Sequence, residues 1–231
     1  MNIAIIPARG GSKRIPRKNV KHFLGKPIIA YSIEAALNSG LFDRVIVSTD
    51  DKDIARISKE YGAEVPFIRP KELSDDFTGT NVVVKHAVQF LLSQNVTIDH
   101  VCCIYATAPL IKNRYLKEGL NRLRGSKKMF AFSVARFDFP VQRSIKILGD
   151  KIYALYPEYS NSRSQDLDEA YHDAGQFYWG KTDAFLQDEP LFSEKSIPII
   201  LPRYLVQDID TMEDWKQAEL LYQIIEINES Y

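Results

Sequence analysis

The chain opens MNIAIIPARGGSKRIPRKN (residues 1–19), an isoleucine-rich run that breaks at once into a glycine pair and a crowd of cations. Asn2–Pro7 is far too short for a membrane span, and no charged start or small-residue cleavage pattern of a signal peptide surrounds it. It is expected to be a first buried strand. The loop behind it carries Arg9, Lys13, Arg14, Arg17 and Lys18 within eleven residues, and such crowding is costly unless anions neutralise it. Gly10 and Gly11 permit a tight turn with exposed backbone N–H groups, which suits a nest for phosphate oxygens. The loop fits neither a Walker A sequence nor a dinucleotide-binding glycine pattern, so the kinase and dehydrogenase readings lose their main support.

Outward from this stretch, helical and extended patterns alternate. Pro27–Ser39 has one apolar helical face, with Pro27 in its first turn and Gly40 beyond its end. Arg44–Thr49 reads as a strand, Asp53–Tyr61 as a helix opened by Asp50 and Asp51, and Val65–Ile68 as another strand. Asn81–Leu92 and Arg114–Leu123 read as helices, and His100–Tyr105, Ala131–Ala135, Gln176–Trp179 and Ile197–Leu201 as strands. Thr211–Ile227 closes the chain as a helix with a capping-box-like Thr211/Asp214 start. Such alternation implies crossover units and a largely parallel α/β sheet, with its site at the carboxyl ends of the strands. That rule selects Ala8–Asn19, Ser48–Asp51, Arg69–Thr80 and Ala106–Pro109. Residues 136–171, rich in proline, charge and tyrosine, read as an insertion with short strands of its own inside a single domain, 1–231.

Lysine plus arginine and aspartate plus glutamate both number 30, so any anion site is local and no general nucleic-acid or membrane field exists. Aromatic residues without a spreading basic groove belong to packing rather than to stacking platforms for single strands. Cys102 and Cys103 are neighbours that a strand would send to opposite faces. They make neither a disulfide framework nor a zinc site, which points to reducing cytoplasm.

Two further constellations carry chemistry. In Gln207-Asp208-Ile209-Asp210-Thr211 an extended backbone puts both carboxylates on one side and Ile209 on the other. Two hard oxygen ligands suit Mg²⁺, which also takes substrate phosphate oxygens and waters. The second, Arg163, Gln165, His172, Asp173 and Gln176, combines polar groups with a permissive glycine just ahead of a strand. Asp75 and Asp76 either touch substrate or cap the helix beyond.

The run IIPARGGSKRIPRKN followed by Gly25-Lys26-Pro27 resembles the signature of the CMP-sialic acid synthetase group of sugar-activating nucleotidyltransferases. The likeness continues through VIVSTDD, RPKELSDD, YATAPL, RSQDLDEAYHDAGQFYWG and QDIDT. Within the group, Arg163–Gly180 is most similar to the pseudaminic acid cytidylyltransferases. The resemblance implies a Rossmann-like nucleotide-diphospho-sugar transferase fold in which the loop from Ala8 through Gly10 and Gly11 to Asn19 wraps the triphosphate of CTP. Arg9, Ser12, Lys13, Lys18 and Asn19 match nucleotide-contacting positions, Arg69 is expected near the cytosine, and Thr107 and Ala108 match the loop that discriminates the pyrimidine. Lys18 suits charge stabilisation at the α-phosphate, and Asp208 and Asp210 match the metal pair.

The better-known sialic acid enzymes have Arg-x-Asn-Gly where this chain has His172-Asp173-Ala174-Gly175, and they tend to carry glutamine at the place of Tyr105. These departures argue against N-acetylneuraminate and place Tyr105, Arg163, Gln165, His172, Asp173 and Gln176 around the sugar, with Arg163 for its carboxylate. The implied reaction transfers CMP from CTP to the anomeric hydroxyl of a nonulosonic acid with release of pyrophosphate, the proton acceptor staying open between Asp210 and a metal-held hydroxide. Rival readings are the same reaction on legionaminic acid, N-acetylneuraminate or a Kdo-like acid, guanylyl or uridylyl transfer, and an inactive nucleotide-binding relative. The family's habit also implies a homodimer, with 136–171 of one subunit reaching the partner's site.

Overall fold

Strand β1 (Asn2–Pro7) has neighbours on both sides and sends Ile3 and Ile5 to one face of a sheet and Ala4 and Ile6 to the other, all four fully buried. The continuous apolar run is what a strand covered on both faces requires. In the computed structural model, which describes residues 1–229, a short ribbon β2 (His22–Phe23) and β3 (Lys26–Pro27) follows, then α1 (Ile28–Asn38), β4 (Arg44–Ser48), α2 (Lys52–Glu60) and α3 (Thr80–Ser93). Next come β5 (His100–Ile104), α4 (Asn113–Arg124), β6 (Phe130–Arg136), β7 (Ile145–Leu148), β8 (Lys151–Ala154), β9 (Tyr171–Lys181), α5 (Thr182–Leu186), β10 (Ser196–Leu201) and α6 (Met212–Glu229). The last two residues of the expected domain lie outside the described residues.

The six-stranded sheet has the order β10-β6-β9-β5-β1-β4, and every neighbouring pair is parallel except the two that β9 makes. The expected α/β architecture with a mostly parallel sheet is therefore present. Ile29 and Ile33 of α1 and Leu116 and Leu120 of α4 cover one face. Val84, Ala87 and Leu91 of α3, with Phe185 of α5, cover the other. Each of the larger of these side chains contributes roughly 1.5–3 kcal/mol by leaving water. Cys102 packs into the first layer and Cys103 into the second, both buried and free, so the neighbouring thiols do point to opposite faces.

Local signals define the helix starts. Asp51 caps α2, accepting from the N–H groups of Asp53 and Ile54, both at 2.9 Å. Ahead of α6 the Asp214 N–H donates to Thr211 Oγ1 at 3.2 Å while Asp214 Oδ2 accepts from the Thr211 N–H at 2.7 Å, the reciprocal pair of a capping box. The strand expected at Val65–Ile68 does not form. Only Glu64 bridges to Ile46, because Pro66 has no N–H to extend the ladder and Pro70 soon follows.

The insertion begins and ends on paired residues, Arg136 opposite Tyr171 in the β6–β9 ladder. Between them lie the antiparallel β7–β8 hairpin and three short 3-10 turns, at Val141–Arg143, Pro157–Tyr159 and Ser164–Asp166. Every residue of β7 and β8 is exposed, including Ile145, Ile147, Leu148 and Ile152. Among the described residues no helix is long and apolar enough to cross a membrane.

Candidate active site

The loop after β1 is anchored by one apolar residue. Ile15 is buried with Phe23, Ile28 and Tyr31 from the ribbon and α1, and with Ile209, Trp215 and Ala218 from the far end of the chain. Ile209 thus turns inward as its two flanking carboxylates stay outside, and the apolar contact brings the cationic loop against the Asp208–Asp210 pair. Lys18 Nζ donates to the Ile209 carbonyl at 2.7 Å and stands 3.6 Å from Asp210, while Arg14 pairs with Asp210 at 2.7 Å.

A cavity of about 600 Å³ opens where β1 and β5 end. Arg9, Ser12, Lys13, Lys18 and Asn19 line one side. Arg69, Asp75, Asp76 and Thr80, with Tyr105 and Thr107, belong to the same lining. Eight of the nucleotide- and sugar-site candidates therefore share one space. Asn19 is held by a 2.9 Å bond from its Nδ2 to the Arg9 carbonyl, which folds the loop back on itself. Arg69 is 3% exposed and bonds to Ser74 Oγ at 3.0 Å and to the Ser48 carbonyl at 3.2 Å, with Asp50 at 3.8 Å. Burial lowers its affinity for the proton, yet a guanidinium stays charged in proteins, so a permanent, poorly hydrated cation faces the cavity.

Two expectations about the loop need correction. The Gly10 N–H is not exposed for a phosphate, because it donates to Asp50 Oδ1 at 3.0 Å. Glycine is needed at this position for close approach: a Cβ would stand 2.9 Å from an Asp51 carboxylate oxygen. Nor do the cations wait for a ligand to neutralise them. Arg9 and Lys13 both pair with Asp76, Arg17 with Asp51 and Asp53, and Arg14 and Lys18 with Asp210. Asp76 is held below the usual carboxylate range by Lys13 and then Arg9. Neither Asp75 nor Asp76 caps α3, whose N-cap Gly79 has no side-chain bond. Asp75 instead accepts from Thr78 Oγ1 and the Thr78 and Phe77 N–H groups, closing the turn that presents Asp76. The pairing of Asp76 with Arg9 and Lys13 escaped sequence reasoning because more than sixty residues separate the partners.

A cytidylyltransferase profile matches residues 3–227. A pseudaminic acid cytidylyltransferase of Campylobacter jejuni is 48% identical over 224 residues, 96% of this chain and 97% of its own length. The chain belongs to the cytidylyltransferase family. A CMP-N,N'-diacetyllegionaminic acid synthase of Legionella pneumophila is 31% identical over 96% of each chain. A solved structure of CMP:2-keto-3-deoxy-manno-octonic acid synthetase complexed with CTP superposes with a TM-score of 0.68 at 17% identity, covering 95% of this chain and 97% of that one. At that identity the superposition speaks for the Rossmann-like fold alone.

In this cytidylyltransferase the carboxylate pair suits a hard divalent cation. Burial, followed by the charge of Asp210, raises the Asp208 carboxyl above its usual range although the residue reaches the surface. A carboxylate destabilised by its like-charged neighbour is relieved by a bound cation. Asp214, whose carboxylate accepts from the Asp210 N–H at 3.1 Å, lies beside the pair, and among the described residues no group of three or more histidines, cysteines or acids is placed to hold a metal.

The other candidates are dispersed. Ala8 is buried, with its N–H on the Ser48 carbonyl, Gly11 faces open space, and Ala108 sits in the core. Arg163 is exposed on the insertion, and Gln165 lines a separate cleft there. His172 borders a second cavity, of about 510 Å³, beside Arg143, Arg203 and Val206, its ring 4.9 Å from that of Phe137. Gln176 is buried and donates its amide to the Leu205 carbonyl at 2.5 Å. The Asp173 carboxylate accepts from Tyr178 and from the Gly175 N–H.

Proposed function

We propose that this enzyme transfers CMP from CTP to the anomeric hydroxyl of a nonulosonic acid, pseudaminic acid in particular, and releases pyrophosphate. The observation that carries the reading is the convergence of Arg9, Lys13, Lys18 and Arg69 on one cavity whose far edge, through Lys18, is tied to Asp208 and Asp210. The choice of sugar draws on the 48% identity with the Campylobacter jejuni enzyme.

The anomeric oxygen attacks the α-phosphorus in line. A new P–O bond forms, the bond from that phosphorus to the bridging oxygen breaks, pyrophosphate carries away the electron pair, and the hydroxyl proton leaves to Asp210 or to solvent. Positioning and charge neutralisation then do most of the catalysis. Lys18, steered by the Ile209 carbonyl, stabilises charge at the α-phosphate, while Arg9 and Lys13 exchange Asp76 for the outer phosphates. Asn19 holds the loop closed, and Ser12 adds a hydroxyl donor. Arg69, Thr107 and Ala108 form the base end. Mg²⁺ on Asp208 and Asp210 would supply neutralisation at phosphate oxygens and make the acceptor hydroxyl more acidic. We assign Tyr105 and His172 to the sugar end, and Arg163 and Gln165 to the sugar end of a partner subunit's cavity. The exposed apolar hairpin supports such a homodimer, and the balanced charge and unbridged thiols support cytoplasm.

The test is pyrophosphate release from CTP and Mg²⁺ with pseudaminic, legionaminic and N-acetylneuraminic acids offered in parallel. Release with pseudaminic acid that EDTA abolishes is the expected result. Release only with another of the sugars overturns the acceptor assignment, and release with none, from folded protein that binds CTP, overturns the reaction.

A further inference from the structure

Of the four loop cations that line the nucleotide cavity, Arg14 alone has no part in the proposed transfer. Its side chain is 66% exposed, and its one ion pair among the described residues is with Asp210, Nη2 to Oδ1 at 2.7 Å. Lys18 Nζ stands 3.6 Å from the same oxygen, but Lys18 is only 20% exposed and is tied to the Ile209 carbonyl at 2.7 Å. The backbone of Asp210 is tied as well. Its N–H donates to Asp214 Oδ2 at 3.1 Å, and that oxygen also accepts from the N–H and the hydroxyl of Thr211. Asp208 makes no ion pair among the described residues. One carboxylate of the pair is therefore covered by a long, exposed side chain, and the other is open.

An exposed ion pair is weak and readily exchanged, so of the two cations on Asp210 it is Arg14 that can leave. A divalent cation on the pair would be a close neighbour of the guanidinium, and like charges repel steeply at short range. Phosphate oxygens in the cavity offer the planar guanidinium a bidentate partner, which it does not have on the single oxygen of Asp210. We propose that Arg14 is shared between the two ends of the site: it covers Asp210 while the pair is without a cation, and it moves to the phosphates of the nucleotide when the cation binds. The inference rests on the assignment of a divalent cation to Asp208 and Asp210. It makes Arg14 a competitor of the cation in the resting protein and a nucleotide ligand in the working one. Nucleotide and cation then favour each other's binding through one side chain.

The experiment titrates Mn²⁺, followed by its paramagnetic resonance, into nucleotide-free wild type, Arg14→Gln, Asp210→Asn, their double variant and Lys13→Gln. Thermal melts check folding, and steady-state pyrophosphate release at saturating Mg²⁺ gives KM for CTP and for the sugar separately. Arg14→Gln should tighten Mn²⁺ binding about two- to fivefold, the range of an exposed ion pair. Lys13→Gln removes the same charge from the same loop, but from Asp76 rather than Asp210, and should leave Mn²⁺ affinity unchanged. The gain from Arg14→Gln should vanish on Asp210→Asn, because the competition acts only through that carboxylate. In the pyrophosphate assay Arg14→Gln should instead raise KM for CTP roughly three- to tenfold, with KM for the sugar within about twofold. Mn²⁺ affinity that is unchanged or lower in Arg14→Gln, or a gain that Lys13→Gln matches, overturns the competition. An unchanged KM for CTP overturns the move to phosphate. Mn²⁺ binding that Asp210→Asn leaves intact would instead overturn the assignment of the cation to the pair, and the role of Arg14 with it.

Discussion

Residues 8–19 with 208–210, and residues 136–171, are both rich in charge and both interrupted by short apolar segments, but only the first region closes on itself. Each of the five loop cations has a carboxylate from the same chain, and Ile15 and Ile209 bury the join. The insertion has Arg136 paired with Glu169 and Arg203 with Asp138, while its hairpin leaves isoleucines exposed on both strands. A two-stranded hairpin is marginal by itself, and contiguous exposed apolar surface usually meets a partner. The contrast supports the proposal that one copy of the chain assembles the nucleotide end while the insertion meets a second copy.

Asp210→Ala strikes the closed region hardest. Removing a preorganised electrostatic group commonly costs 10²–10³ in kcat, and a loss of about that size with an unchanged melt is expected in the pyrophosphate assay. A loss below about tenfold would mean that the pair is not the reacting end. Ile209→Ala cuts the apolar join instead, and large-to-small core changes of this kind cost about 2–5 kcal/mol. Calorimetry should show a lower Tm together with a higher Mg²⁺ requirement. A lower Tm with the Mg²⁺ requirement unmoved would separate packing from site assembly.

For the open region, Ile147→Asp with Ile152→Asp should turn a dimer into a monomer by light scattering at micromolar concentration. The melt of the protomer should hardly change, since exposed substitutions stay within about 0.5 kcal/mol. A wild-type monomer would break the comparison outright. Asp76→Asn is a finer test. Without its carboxylate, Arg9 and Lys13 are free for phosphate, and KM for CTP should fall about two- to fivefold, the range of an exposed ion pair. A rise would mean that Asp76 positions these cations rather than competes for them.

The smallest effect concerns pH. Because the Asp208 carboxyl is raised, the folded protein holds that proton at pH values where the unfolded chain has released it. Stability from this group is therefore lost as pH rises through the window between the unfolded and folded values, and it stays lost above. Asp208→Asn should raise the Tm of metal-free protein slightly at neutral pH, with the gain fading as pH falls through that window and gone below the ordinary aspartate range. A gain that persists in acid would assign the effect to something other than ionisation.

Much of this was legible beforehand because it is local. The buried run of β1, the opposite faces of Cys102 and Cys103, the Asp51 cap and the Thr211–Asp214 box all lie within a few residues of their causes. Val65–Ile68 misled because three apolar residues outweigh one proline in a pattern but not in a ladder. The reversed direction of β9 was invisible, since burial on two faces has no sense of direction. In the site, the residue types around Arg9–Asn19 pointed to the chemistry, but the carboxylates that hold them come from residues 51, 53, 76 and 210. Asp173 was marked by its composition, and Tyr178 reaches it across the stretch where the β6–β9 register shifts between Phe132 and Val134.

The pairing of Arg136 with Tyr171 has an evolutionary side. An excursion whose two ends are already neighbours in a sheet can be lengthened, shortened or exchanged at little cost in chain closure, and the strands on either side do not feel the change. Segments grafted between those two positions would bring Arg163, Gln165 and the hairpin with them, while Tyr105 and His172 stay with the sheet. The machinery that handles the nucleotide, joined elsewhere by Ile15 and Ile209, would pass through such an exchange unaltered, so one activating chemistry can be offered to a succession of sugars.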